Sequence, residues 1–192
     1  NPTAKHVLDP EHPKHDDWVA SMMKEINGLT ETGVIEGEYL KDVPKNERAT
    51  ILHSKLVFKL KVNPTTGEES CKCRLVVRGD RAQAGLHYPE GMDCPGSSMS
   101  SLKLMCARSV HTRSLMRSFD IAMAYTQSKA PVGYNNRIKT PPGVPKITNA
   151  DGDEICYKLI SNLYGGPASG AIHWESVKKM AESTGLASSL ND

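Results

Sequence analysis

Residues 54–78 decide the fold. They read Ser54-Lys55-Leu56-Val57-Phe58-Lys59-Leu60-Lys61-Val62, then Asn63-Pro64-Thr65-Thr66-Gly67-Glu68-Glu69, then Ser70-Cys71-Lys72-Cys73-Arg74-Leu75-Val76-Val77-Arg78. Both outer runs alternate with period two, the side-chain repeat of a strand, and Asn63-Pro64 with Gly67 supplies turn chemistry between them. A β-hairpin over 54–79 follows. Leu56, Phe58, Leu60 and Val62 share one face of the first strand, and Cys71, Cys73, Leu75 and Val77 share one face of the second. The opposite faces carry Lys55, Lys59, Lys61, Lys72, Arg74 and Arg78, with no acid between them. Such a ribbon packs its apolar side inward and offers the cationic side to solvent or to phosphate.

The flanking sequence is read from this ribbon outward. Residues 1–50 carry six Lys/Arg against ten Asp/Glu, whereas residues 54–81 carry seven against three. The positive charge is therefore concentrated in the hairpin, although the net charge of the chain is only +2. Pro2, Pro10 and Pro13 mark residues 1–15 as a linker with surface histidines at 6, 12 and 15. Asp16 or Asp17 is positioned to cap a helix whose Trp18, Met22, Ile26 and Leu29 form one apolar stripe, with Gly33 and Gly37 at its exit. Beyond the hairpin, Ser97 to Ser101 open a second helix expected to turn Leu102, Met105, Cys106 and Val110 inward. Residues 118–126 read as a strand, 130–152 as an irregular Pro/Gly/Asn-rich crossing, 157–163 as a short strand and 171–183 as a helix with Trp174, Val177 and Ala181 on one side.

With 38% apolar and 5% aromatic residues, the core is expected to be aliphatic and methionine-rich. Five cysteines, an odd number without a disulfide-like spacing, fit a reducing, intracellular compartment. No apolar run reaches transmembrane length, so no membrane partner is expected. Cys71 and Cys73 lie on the apolar face and read as packing residues, not zinc ligands. Asp120 stands out, inside the run Ser118-Phe119-Asp120-Ile121-Ala122-Met123-Ala124-Tyr125. Burying a carboxylate is costly unless a cation or strong donors meet it. A metal ion is one candidate partner, and an exposed position at a strand end is the alternative.

The order of segments resembles the reverse transcriptase domain of copia-type retrotransposon polyproteins. Trp18, Met22 and Glu25 match its opening helix, with Ser21 in place of the usual Ala. Lys55, Val57-Phe58-Lys59 and Lys61 match its Lys-x-Val-Phe-Lys-x-Lys strand, and Lys72, Arg74-Leu75-Val76 and Gly79 match the next, followed by Gln83, Gly85 and Tyr88. Pro95, Ser101, Leu102 and Lys103 follow at the family's spacing. Phe119-Asp120-Ile121 with Ala124-Tyr125 matches the first polymerase motif, Pro141-Pro142-Gly143 the segment after it, and Leu163-Tyr164-Gly165 with Trp174 the Leu-Tyr-Gly … Trp signature.

The resemblance implies an α+β, right-hand polymerase fold: a fingers-like region over 16–117 and a partial palm over 118–192, with antiparallel strands packed against helices. It implies RNA-directed DNA polymerisation with Mg2+ or Mn2+, expected only in the complete domain, on an RNA template, a DNA primer and deoxynucleoside triphosphates. Asp120 and the backbone carbonyl of Ile121 would be metal ligands, and Tyr125 would stand where a side chain excludes a ribose 2′-hydroxyl. Lys72, Arg74, Tyr164 and Gly165 would meet the nucleotide, and Lys55, Lys59, Lys61 and Arg78 the nucleic-acid backbone. The rest of a polyprotein would be a partner, in a cytoplasmic virus-like particle or the nucleus.

Departures from the pattern are equally legible. The family's Tyr-Val-Asp-Asp motif does not occur after Asp120, Gly166-Pro167-Ala168-Ser169 replaces Leu-Lys-Gln-Ala, and Trp174 lies one residue late. The chain begins at Asn1, as a piece of something longer would, and stops where the second motif is expected. Two expectations follow: a polymerase fragment inactive alone, or a decayed, non-catalytic nucleic-acid-binding remnant.

Overall fold

The computed structural model describes residues 2–92, 98–117, 120–145, 148 and 152–185. Its elements, in chain order, are α1 (Ala4–Val7), α2 (His15–Glu31), β1 (Ile35–Tyr39), α3 (Lys45–Arg48), β2 (Ser54–Val62), β3 (Glu69–Val77), α4 (Met99–Thr112), β4 (Arg137–Lys139), β5 (Ile155–Leu159) and α5 (Ser169–Ser183). Short 3-10 turns occupy Gly79–Arg81 and Ala124–Gln127. The strands form two antiparallel sheets, β2-β3 and the three-stranded β1-β5-β4. Mixed helix and antiparallel sheet agrees with the expected α+β class. None of the described helices is long and apolar enough to cross a membrane.

The hairpin forms as read, with Phe58 opposite Cys73 and Leu56 opposite Leu75. Asn63 closes its turn by accepting from the backbone N–H groups of Thr65 and Thr66, and Gly67 takes the positive φ that the return requires. Phe58, Cys73, Leu75 and Val77 are buried, and burial pushes the Cys73 thiol up to about 12, so it is inert packing. Toward the tip the apolar face opens to solvent, and Leu60 and Val62 are exposed.

Helix α2 lies against β3 through its apolar stripe: Trp18, Met22, Ile26 and Leu29 are all buried, and Trp18 meets Phe58 edge-on at 5.6 Å. Asp16 and Asp17 fall in the first turn, where they favour the helix dipole, instead of at the cap. The helix ends in a Schellman arrangement: Gly33 N–H donates to the Thr30 carbonyl, Val34 N–H to that of Leu29, and Gly33 has φ +67°. Val34 is thereby placed in the core immediately before β1, a strand absent from the sequence reading because Gly37 looked like punctuation.

A short lead-in joins the two sheets. Leu52 N–H donates to the Arg137 carbonyl, Lys139 N–H to the Leu52 carbonyl, and the Ser54 hydroxyl to the Lys139 carbonyl at 2.6 Å. On the three-stranded sheet, Arg137 spans from β4 across β5 to both carboxylate oxygens of Glu38 on β1, and also reaches Glu47 of α3. Its side chain is 14% exposed, so the fork works in a partly desolvated setting where paired charges matter more than at the surface.

Besides β1, and β4 within the stretch read as an irregular crossing, four segments differ from their sequence reading. The stretch taken for a linker holds α1, and Val7 and Leu8 belong to the main core, with Leu8 filling the space beside Gly143. Helix α4 is present but none of its residues is buried; Val110 is 80% and Leu104 71% exposed, because no described element covers it. Asp120 and Ile121 have no regular structure and Ala122–Met123 form a turn, so the strand expected over 118–126 is not seen in its described part; Ser118 and Phe119 lie outside the described residues. Trp174 of α5 is 39% exposed, the inward positions being Ser169 and Ala171.

Replacing Arg137 by Met is expected to leave Glu38 and Glu47 half-buried without their cation and to lower stability by about 2–3 kcal/mol. Adding Glu38→Leu to that variant recovers part of the loss. Urea unfolding midpoints of the three proteins check both statements.

Candidate nucleic-acid interface

The solvent face of the hairpin carries its cations in register. Lys59 stands directly opposite Lys72, and Val57 opposite Arg74. Like charges across an antiparallel pair are destabilising, so this face is an electrostatic cost to the fold. Val57, Lys59, Lys61, Lys72 and Arg74 line a concavity of roughly 200 Å³. Burial pushes the Lys72 ammonium below its ordinary value, aided by Lys61 and Arg74 and opposed by Glu25. The other cations differ. Arg78 is paired with Asp80 at 2.7 Å on an exposed turn, a contact of small energetic weight, and Lys55 sits further along the same face.

The outer edge of β3 would present unpaired backbone N–H groups, and two separate elements meet three of them. Cys73 N–H donates to the Ser21 hydroxyl and Leu75 N–H to a Glu25 carboxylate oxygen, both on α2; Val77 N–H donates to the Tyr164 carbonyl. Glu25 and Ser21 were visible in the sequence as part of a motif, yet their task was not, since it depends on which edge the helix covers. Burial raises the Glu25 carboxyl; the Leu75 N–H, Lys72 and Arg74 pull the other way without cancelling it.

Tyr164-Gly165 reaches this edge by close backbone approach. Gly165 has φ +81°, and a Cβ there would lie 2.4 Å from the Val77 carbonyl oxygen and 2.5 Å from Val76 Cγ1. A Cβ on Gly79 would lie 2.2 Å from the Gly165 carbonyl oxygen. The two glycines therefore admit one chain segment against the other. The contact sets the Arg74 guanidinium 5.2 Å from the Tyr164 ring centre. Tyr164 in turn meets Tyr125 edge-on at 5.8 Å, and Tyr125 meets His173 of α5 at the same distance. Arg74, Tyr164, Gly165 and Tyr125, separated by up to 91 positions in the sequence, are thus one contiguous group. His173 was not foreseen; no motif or periodicity in the sequence marks it, and only the placement of α5 brings it to Tyr125.

Asp120 and Ile121 enter the turn that leads to Tyr125. Met123 takes a left-handed φ of 52°, its carbonyl accepts from the Thr126 hydroxyl at 2.8 Å, and Gln127 Nε2 donates to the Ala122 carbonyl at 2.7 Å. Tyr125 therefore projects from a 3-10 turn instead of a strand. Asp120 is exposed, and among the described residues no three His, Cys, Asp or Glu side chains come together to hold a metal ion. One exposed carboxylate is too small a donor set for a pair of divalent cations.

The family described as "Reverse transcriptase (RNA-dependent DNA polymerase)" has a sequence model that matches residues 38–189. The chain belongs to this reverse transcriptase family. Searches of the curated proteins and of the solved structures find no significant match.

Two consequences are measurable. Gly165→Ala combines a left-handed backbone with a clash against Val77 and is expected to cost about 2–3 kcal/mol, read as a lower urea midpoint. For Glu25 the folded carboxyl titrates above its ordinary value of 4.5. A raised carboxyl adds stability below that value, and the contribution is lost as pH climbs through the folded pKa. Glu25→Gln keeps an acceptor for Leu75 and removes the ionisation. It is expected to be the more stable protein at pH 7, with the advantage shrinking toward pH 4.

Proposed function

We propose that the chain is part of the RNA-directed DNA polymerase of a copia-type retrotransposon polyprotein, with the hairpin as fingers and the Asp120 segment as palm. The observation that carries this reading is the assembly of Arg74, Tyr164, Gly165 and Tyr125 beside the cationic concavity, within a chain of the reverse transcriptase family. Lys72 and Arg74 are suited to the phosphates of a deoxynucleoside triphosphate. Lys72 is the more strongly desolvated of the pair, which strengthens a contact to an anion. Arg74 lies over the Tyr164 ring, a cation–π contact that leaves its donors free for an anion. Tyr125, propped by Tyr164 and His173, is the side chain to exclude a 2′-hydroxyl. Lys55, Lys59, Lys61 and Arg78 face a template–primer backbone, for RNA template and DNA primer alike, because phosphate contacts carry no base information.

Magnesium or manganese would supply Lewis-acid chemistry to phosphoryl transfer when bound. In this reading Asp120 and the Ile121 carbonyl are part of the ligand set, and the second carboxylate motif comes from elsewhere in the polyprotein. The described residues alone do not make the site, so activity belongs to the complete domain, in a virus-like particle or nucleus. The second reading, a non-catalytic remnant that binds nucleic acid, is favoured by one observation: the basic face is complete in these residues while the carboxylate set is not.

Primer extension by a protein carrying both motifs tests the choice. Asp120→Ala is expected to abolish extension; equal activity of the variant would falsify the ligand role. Tyr125→Ala is expected to raise ribonucleotide incorporation by about 10- to 100-fold, measured as the ratio of kcat/KM values.

A further inference from the structure

The cationic face does not stop at the hairpin. Period-two alternation extends one residue upstream of β2, putting exposed His53 on the same side as Lys55, Lys59 and Lys61. His53 is held opposite Arg78 by the Arg78 N–H bond to its carbonyl at 2.8 Å. The backbone of the neighbouring Lys139 is pinned by its N–H bond to the Leu52 carbonyl and by the Ser54 hydroxyl on its carbonyl, and Arg81 comes in on the 3-10 turn after β3. Two concavities of roughly 330 and 220 Å³ share His53 and Lys139. The larger has Glu154 on its wall, whereas the smaller is lined by Arg81 and Gln83 and by no carboxylate. Among the described residues neither Arg81 nor Lys139 is in an ion pair, and Asp80, next to Arg81 in the chain, is engaged by Arg78. The local field is positive enough that Lys139, Arg81 and Arg78 add to burial in pushing the His53 imidazole down.

We infer that His53, Arg81 and Lys139, with Gln83, form a second phosphate-binding subsite at the base of the hairpin, which takes the phosphodiester backbone of a single nucleic-acid strand lying along the cationic face. From Lys61 to His53 is eight residues of extended chain, about 26 Å at about 3.3 Å per residue. A stacked strand that rises about 3.4 Å per nucleotide along its axis needs about eight nucleotides to reach from one end to the other. This subsite extends the hairpin reading given above and rests on it.

Fluorescence anisotropy with a labelled oligodeoxythymidylate of about 20 nucleotides, over a salt series, tests it on the full chain. Each lost phosphate contact lowers the slope of log K against log salt by about 0.7, so Arg81→Gln/Lys139→Gln is expected to lower it by about 1.4 and to weaken binding about tenfold. Arg81→Lys/Lys139→Arg restores the slope, which a purely structural role would not predict. An unchanged slope in the Gln variant, with a reduced slope in Lys59→Gln/Lys61→Gln, overturns the subsite and leaves the hairpin reading standing. If the wild-type chain binds no oligonucleotide, both fall. Tripolyphosphate is the second probe: weaker tripolyphosphate binding by the Gln variant with unchanged oligonucleotide binding would assign the cluster to a free phosphate and overturn the strand.

Discussion

The free edge of β3 is the constraint on which the rest of the molecule turns. A two-stranded hairpin is marginal in water, and its unpaired N–H groups invite pairing with other chains. Here the donors of Cys73, Leu75 and Val77 are met in sequence by Ser21, Glu25 and the Tyr164 carbonyl. Two of these come from a helix that precedes the hairpin and one from a turn that follows it. The same three bonds therefore fix the position of α2, of the hairpin and of the segment leading into α5. With only apolar contacts the ribbon could slide against α2; with a bond at every second residue it cannot do so without orphaning a donor.

Edge closure also explains why the cationic face can exist. Lys59 opposite Lys72 works against hairpin formation, and neither strand is long enough to hold it by ladder bonds alone. Apolar burial of Phe58, Leu75 and Val77 on one side and the covered edge of β3 offset that repulsion. Glu25 sits where these demands meet. It accepts from Leu75, it tempers the charge of Lys72 and Arg74, and its burial makes its own ionisation unfavourable. A neutral acceptor would serve the edge better, whereas a carboxylate serves the cations. The residue present is a compromise between folding and the surface that the fold displays.

How much of this was legible depended on whether a signal was local. The hairpin and α2 were, because alternation at period two and a stripe at 18, 22, 26 and 29 each follow from one element's own geometry. Strand β1 was missed because Gly37 resembles a breaker, while in the sheet it pairs with Tyr157 on β5. The burial of Val7 was missed because prolines on either side look like a linker, and its core partners lie far along the chain. Helix α4 was found by its pattern but its apolar side is not packed, since periodicity says which face is greasy and not whether anything meets it. For the candidate site, Tyr125, Arg74 and Tyr164 were named singly, and only the fold shows Tyr164 lying between the other two.

The same distinction separates binding from chemistry in this chain. Phosphate binding asks for cations held on a firm backbone, and the hairpin supplies them on a ladder whose outer edge is closed. Phosphoryl transfer asks for several oxygen donors converging on a metal ion within a fraction of an ångström. The carboxylate available for that, Asp120, is exposed at the start of a turn that passes through a left-handed Met123, with no second acid beside it among the described residues. Tyr125, five residues past Asp120, is nonetheless packed against Tyr164 and His173. Packing contacts thus reach Tyr125 from the hairpin side, and none is seen at the carboxylate among the described residues. A metal site at Asp120 requires further donors and walls around it, whereas the basic face needs nothing more than the contacts it already has.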